Sequence, residues 1–356
     1  MSKHSKYFYL IVYALVCLPL ASFYLSGIYF LLVPITVFIV IPIIDFFFRD
    51  AINPGSEETM NRKHDLFYQR ILLLYLPTHV ALIVGGMVYL FVMPISFIEL
   101  VLLSFMIGII TGSVGINIAH ELMHKANLLN QVVSRIILTF VCYGHFVIEH
   151  VRGHHVNVAT PNDPATARLN ESIYRFLPRT VIGSWKSAWK IEGNRLNRQG
   201  KSFYHWDNEF YWVITGPLIL ICMAYSIVGA LGVIFFLLQS IVAILMLEVV
   251  NYIEHYGLVR NKLANGQYEV VGERHAWDAD HWLSNHILFN LMRHADHHIY
   301  GFKPYQILLI SRQSPKLPAS YATLYWLVFI PPLWFTIMNP ILDAHQRTEQ
   351  QVHIAS

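Results

Sequence analysis

Charge is scarce in this chain. Asp, Glu, Lys and Arg make up 13% of its 356 residues against 55% hydrophobic, and the mean hydropathy is +0.45. That balance excludes an ordinary soluble globular domain. Cysteine is scarcer still: Cys17, Cys142 and Cys222 lie in apolar stretches and form no CxxC pair. They read as small buried residues, and their spacing excludes a fused iron–sulfur or rubredoxin-type cluster. There is no G-x-S-x-G motif, no Gly-rich nucleotide loop after a strand, no internal repeat and no low-complexity tail.

What the chain has in abundance is uncharged length. Between Lys6 and Asp45 lie 38 residues without a charge. A helix crosses the hydrocarbon core in about 20 residues, so this run holds two spans, breaking at Leu25-Ser26-Gly27. A second apolar block, Ile71 to Ala119, is interrupted only by Met93-Pro94-Ile95-Ser96 and the single charge Glu99. A third runs from Phe210 to Leu247 and turns near Gly229-Ala230-Leu231-Gly232. The sequence therefore predicts an all-α integral membrane protein with six transmembrane helices, near 7–25, 28–48, 71–93, 97–119, 210–228 and 232–253.

The turns near residues 26, 95 and 230 carry no Lys or Arg, whereas Lys3, Lys6, the 49–70 loop and the 120–208 segment carry many. Positive charge favours the cytoplasmic side, which places both termini and the segments 120–208 and 254–356 there, within one domain covering 1–356. The first span lacks the small-residue cleavage site of a signal peptide. Val132 to His150 is apolar but lies between two cytoplasmic segments, so it is expected to pack against the bundle; Ser320 to Pro340, broken by Pro331-Pro332, is expected to be interfacial or packed, not a seventh span.

Nine of the nineteen histidines fall in four clusters: His120 and His124; His150, His154 and His155; His255; and His294, His297 and His298. The topology brings all four to one membrane face. Imidazole is the commonest metal ligand, and His120 and His124, four residues apart, share a helix face. Their HExxH pattern is also that of zinc proteases, but nine imidazoles are too many for one zinc and suit two metal ions with four or five histidines each. Imidazole accepts iron, copper, zinc or nickel; the lack of Cys or Met clusters argues against copper(I). Neutral ligands leave metal charge uncompensated, so nearby carboxylates are expected to hold the free ring N–H groups. The candidates are Glu121, Glu149, Asp163, Glu254 and Asp296.

The strings HELMHK (120–125), EHVRGHHVNVATPNDPATAR (149–168), NYIEHYGL (251–258) and LMRHADHH (291–298), with Gly-His-Phe at 144–146, resemble the histidine boxes of the membrane-bound non-haem di-iron alkane 1-monooxygenases. Fatty-acid desaturases and sterol hydroxylases share the HxxxH and HxxHH pattern but not the Asn-Tyr-Ile-Glu-His-Tyr-Gly-Leu run. The resemblance implies two Fe ions held by His120, His124, His150, His154, His155, His255, His294, His297 and His298. It also implies terminal hydroxylation of medium- to long-chain n-alkanes drawn from the bilayer, with O2 and electrons from rubredoxin and its reductase, at a bacterial inner membrane. Met123 stands where the family commonly has Gly, and Ala295 where it commonly has Ser.

The segment from Arg168 to Lys201 carries eight Lys and Arg against Glu171 and Glu192. Arg168, Arg175, Arg179, Arg195 and Arg198 are the candidate docking residues for an acidic redox partner. Membrane lipids are an equal reading, with Trp185 and Trp189 as anchors; nucleic acid is not expected. Phe38, Phe46 and Met106 are candidate channel residues. A related oxygenase acting on alkyl-aromatic methyl groups or fatty acyl chains is the alternative activity, and a homo-oligomer is compatible with the chain. A metal transporter is disfavoured, because its ligands would lie near the bilayer midplane.

Overall fold

The computed structural model describes residues 5–49 and 53–355. Among them are helices and three isolated β-bridges, with no extended strand. Hydrocarbon offers no partner to a backbone N–H, so an uncharged run in lipid must satisfy its own hydrogen bonds as helix. Six helices are long and apolar enough to cross a membrane: Lys6–Leu25, Gly27–Phe47, Phe67–Val92, Phe97–Met123, Phe210–Val228 and Ala230–His255.

The breaks follow local chemistry. Ser26 and Gly27 both take positive φ, as does Gly229, and each reverses the chain between two spans. Glu99, the lone charge in its block, is a capping residue. Its carboxylate accepts from the Ser96 N–H at 2.8 Å while the Ser96 hydroxyl accepts from the Glu99 N–H at 3.2 Å, closing a capping box at the start of the fourth span.

The fourth and sixth spans form the spine. A Cβ on Gly108 would lie 2.5 Å from Val242, and one on Gly112 would lie 2.7 Å from the Ala243 carbonyl. Only glycine lets the two backbones approach this closely. The Thr111 hydroxyl donates to Gln239 Oε1 across the contact at 3.0 Å. Both helices run to 26 or 27 residues, and the surplus turns carry His120 and His255 past the apolar runs.

The helix Leu128–Thr139 runs into the stretch from Val132 to His150. Val133, Ile137 and Leu138 are buried, and the Ser134 hydroxyl donates to the Ala119 carbonyl at 2.8 Å. After Ser320 come two helices, Tyr321–Leu327 and Pro331–Ala355. Trp334 and Met338 are buried there, and the Tyr256 hydroxyl bonds Asn339 at 2.9 Å. The basic segment is the amphipathic helix Ile173–Arg198. It buries Ile173, Phe176, Thr180, Ser184, Ala188, Glu192 and Leu196, one residue per turn.

Candidate metal centre

All nine clustered histidines meet at the C-terminal ends of the fourth and sixth spans. Their ligating nitrogens form two groups, each with its members within 4.8 Å of one another: His120, His124, His150, His155 and His297, and His154, His255, His294 and His298. Adjacent residues on a helix point about 100° apart, and this explains the split. His154 and His155 serve different groups, as do His297 and His298. His120 with His124, and His294 with His298, pair at the ordinary four-residue step.

The second box departs from that step. The sequence pairs His150 with His154, but residues His150–His154 form a π turn, whose wider winding brings i and i+5 together. His150 therefore meets His155, with their Nε2 atoms 3.1 Å apart.

The donor chemistry fits cations. Burial, then the neighbouring imidazoles, hold His124, His150, His155, His294, His297 and His298 well below the ordinary imidazole range, so they are neutral and able to donate lone pairs. In the four-histidine group the Nε2 atoms of His294 and His255 lie 3.1 Å apart, and those of His298 and His294 3.0 Å apart. Among the described residues, His120 Nε2, His124 Nε2, His154 Nε2 and His297 Nε2 have no hydrogen-bond partner. Buried, converging, unpartnered lone pairs are costly unless a metal takes them up.

Two of the five expected carboxylates touch a ring. Asp163 accepts from His154 Nδ1 at 2.9 Å, leaving His154 Nε2 for a metal. Burial depresses His154, but the Asp163 carboxylate outweighs it and leaves this imidazole raised. Glu254 places Oε2 3.2 Å from His294 Nε2, on the metal-facing side of that ring.

The other three bond elsewhere. Glu121 accepts from Lys125 at 2.7 Å and from the Tyr305 N–H at 3.1 Å. Asp296 accepts from Lys303 at 2.5 Å and from the Leu309 N–H at 2.8 Å. Glu149 accepts from Ser187 at 3.3 Å and lies against Gly153, where a Cβ would approach it to 2.6 Å. Glu121 and Glu149 each sit one residue from a ligand on a helix and Asp296 one residue before His297, so each points to a different neighbour.

Several supporting residues were not foreseen. Asp278, fully buried, accepts from the Ala295 and Ser311 N–H groups at 2.9 and 3.1 Å and fixes the last box. Glu248 accepts from Tyr143 at 2.6 Å and Thr180 at 2.7 Å, tying the sixth span to the second box and the basic helix. Asp45 accepts from the N–H groups of Leu283 and Ser284, each at 3.1 Å. A carboxylate ending a 38-residue uncharged run was the available signal for Asp45.

An apolar cleft leads from the spans to this centre. It has a volume of about 80 Å³, is open at its mouth, and runs between Leu15, Phe38, Ser113, Met246 and Tyr325 to His120, His150 and His294. Phe38 lines it; Phe46 is instead exposed on the outer surface, and Met106 is buried elsewhere. In the basic helix, Arg179 bonds Glu171 at 2.7 Å and the Pro164 and Thr166 carbonyls, and Arg195 bonds Glu192 at 2.7 Å and the Asp207 carbonyl. Arg168, Arg175 and Arg198 are exposed.

Comparison with known proteins agrees with this architecture. The fatty acid desaturase family matches residues 96–328. Alkane 1-monooxygenase 1 of Pseudomonas aeruginosa is 39% identical over 323 residues, covering 89% of this chain and 84% of that protein. An alkane 1-monooxygenase of Acinetobacter baylyi is 39% identical over 320 residues, covering 89% and 78%. The xylene/toluene monooxygenase hydroxylase component XylM of Pseudomonas putida is 30% identical over 230 residues, covering 64% and 60%. With six apolar helices, nine histidines gathered in two ligand groups and this similarity over most of its length, the chain belongs to the alkane 1-monooxygenase family.

Proposed function

We propose that this protein hydroxylates the terminal carbon of medium- to long-chain n-alkanes at a di-iron centre. An alkane, O2, two electrons and two protons give a primary alcohol and water. The observation that carries the reading is the junction of the apolar cleft with both imidazole groups. An unactivated C–H bond offers side chains no proton or leaving group to work on. When bound, two irons supply the O2 chemistry that side chains lack.

The protein's own part is to orient and to exclude water. His120, His124, His150, His155 and His297 hold one metal, and His154, His255, His294 and His298 the other. Asp163 fixes the tautomer of His154, and Glu254 stands beside the metal-facing nitrogen of His294. The cleft admits substrate from the bilayer and aligns the chain end-on, so the carbon nearest His120, His150 and His294 is the terminal one.

The basic loops support a cytoplasmic side for the centre and both termini, and we read the chain as one domain over 1–356 in a bacterial inner membrane. Electrons come from rubredoxin and its reductase. The exposed Arg168, Arg175 and Arg198 attract either an acidic carrier or anionic lipid, while Arg179 and Arg195 brace the helix that presents Arg175 and Arg198.

The test is product analysis by gas chromatography–mass spectrometry. The iron-loaded protein is supplied with rubredoxin, its reductase, an equimolar n-alkane mixture and xylene. Primary alcohols are expected, and their distribution gives the chain-length range. Oxidation of xylene alone would overturn the alkane assignment and favour alkyl-aromatic methyl groups, the chemistry in the name of the 30%-identical relative.

A further inference from the structure

The two ligand groups differ in how they meet water. His154, His255, His294 and His298 are all fully buried, whereas His124 and His155 in the five-histidine group are half-buried. One loop residue lies against both rings: a Cβ on Gly301 would lie 3.2 Å from His124 Nδ1 and 3.2 Å from His155 Cε1. The next residue, Phe302, is 75% exposed. Tyr300 is also exposed, as is Val156 beside His155. A polar cleft beside the loop, lined by Lys63, Asp65, Lys125 and Phe302, leads down to His124.

The loop is held firmly. Lys125 donates to the carbonyls of Phe302 and Lys303 at 3.4 and 3.3 Å, Lys303 is paired with Asp296, and the Tyr305 N–H donates to Glu121. Lys63 is exposed beside this apolar tip, while Lys125 and Lys303, paired with Glu121 and Asp296, hold it on the two imidazoles.

Hydroxylation consumes two electrons per O2, and the three cysteines of this chain are all free, forming no cluster that could store them. A reduced protein carrier must bring them. Electron transfer weakens steeply with distance, so the carrier gains most where the ligands come nearest the surface. Accepting the hydroxylase reading above, we propose that a small acidic one-electron carrier docks on the Gly301–Phe302 loop. Electrons enter the five-histidine site through His124 and His155 and pass from there to the buried four-histidine site. The carrier is oxidised by one electron at each of two encounters, and the protons come from water. The apolar tip provides the contact and the exposed Lys63 beside it the local positive charge, as at other charge-guided encounters. The basic helix is then a lipid-facing or long-range attractive surface, not the point of electron entry.

The experiment uses the full-length protein with rubredoxin as the probe. It measures the Kd of the complex by titration, the rate of rubredoxin oxidation, and alcohol formation with dithionite in place of the carrier. Phe302→Glu should raise Kd and slow carrier oxidation at least tenfold, while dithionite-driven alcohol formation is unchanged. Phe302→Ala should show a smaller effect in the same direction. Arg175→Glu with Arg198→Glu should change Kd less than threefold at physiological salt. An unchanged Kd in Phe302→Glu, or a larger effect from the helix variants, would overturn the proposed surface. Absence of alcohol from the wild type with either reductant would overturn the hydroxylase reading instead, and the titration alone would then decide the docking surface.

Discussion

Replacing Asp163 by Asn removes one charge and leaves the side-chain shape intact. Its two carboxylate oxygens have distinct duties. Oδ2 accepts from His154 Nδ1 at 2.9 Å and from Thr166 Oγ1 at 2.5 Å, while Oδ1 accepts from the Ala165 N–H at 3.0 Å. An amide has one acceptor oxygen. If it serves His154 and Thr166, its NH2 faces the Ala165 N–H; if it serves Ala165, His154 loses its partner. Either choice opposes two donors in a fully buried place, costing about 1–3 kcal/mol. Removal of the negative charge also lowers the basicity of His154, and losses of this kind reduce metal affinity about 10–100-fold. Competitive titration of the metal-free protein with Fe(II) against a chelator of known affinity should therefore show one of two binding phases weakened by that factor. The other phase, belonging to the five-histidine group that Asp163 does not touch, should stay where it is. Two unchanged phases would refute the role given to Asp163, and equal weakening of both would show that the variant acts through general loss of structure.

Gly108→Val should abolish well-folded protein, because its Cβ would meet Val242 at 2.5 Å and the Gln239 backbone at 2.7 Å; recovery of a monodisperse, fully metal-loaded variant would contradict the close contact of the fourth and sixth spans. Ser113→Leu narrows the cleft two helical turns from His120, about 10 Å along the axis, and should shift products toward shorter alkanes; an unaltered chain-length profile would mean that substrate takes another route. His275 is depressed by burial to about 4. Between the ordinary value near 6.5 and pH 4 the unfolded chain binds a proton that the folded chain refuses. Its contribution to stability is therefore complete above about pH 6.5 and declines as pH falls toward 4, and His275→Gln should flatten that part of a melting-temperature profile. Glu121→Gln should keep full iron content, since Glu121 bonds Lys125 and the Tyr305 N–H and no ligand ring; loss of a metal there would restore it to the role the sequence suggested.

The six apolar helices were legible because lipid leaves an uncharged run of 20 residues little choice of conformation. The gathering of the nine histidines was legible because they sit at short spacing along the chain and buried imidazoles need partners. Their division between two groups was not. That depends on the 100° step separating His154 from His155 and His297 from His298, and on a π turn that no residue type announces. Carboxylate roles were legible only in part: Asp163, on a loop, folds back to His154, whereas Glu121 and Asp296 are turned aside to hold the 300–309 loop. Asp278 and Glu248 stayed hidden because their partners lie up to 105 residues away.

Metal analysis of the purified protein tests most directly whether the nine imidazoles form two metal positions at the end of the apolar cleft. Protein from iron-replete cells should carry two irons per chain, matching the two ligand groups, with His297→Ala losing iron from the five-histidine position while the four-histidine position stays occupied. A single metal per chain in the wild type, or full iron content in His297→Ala, would contradict the account.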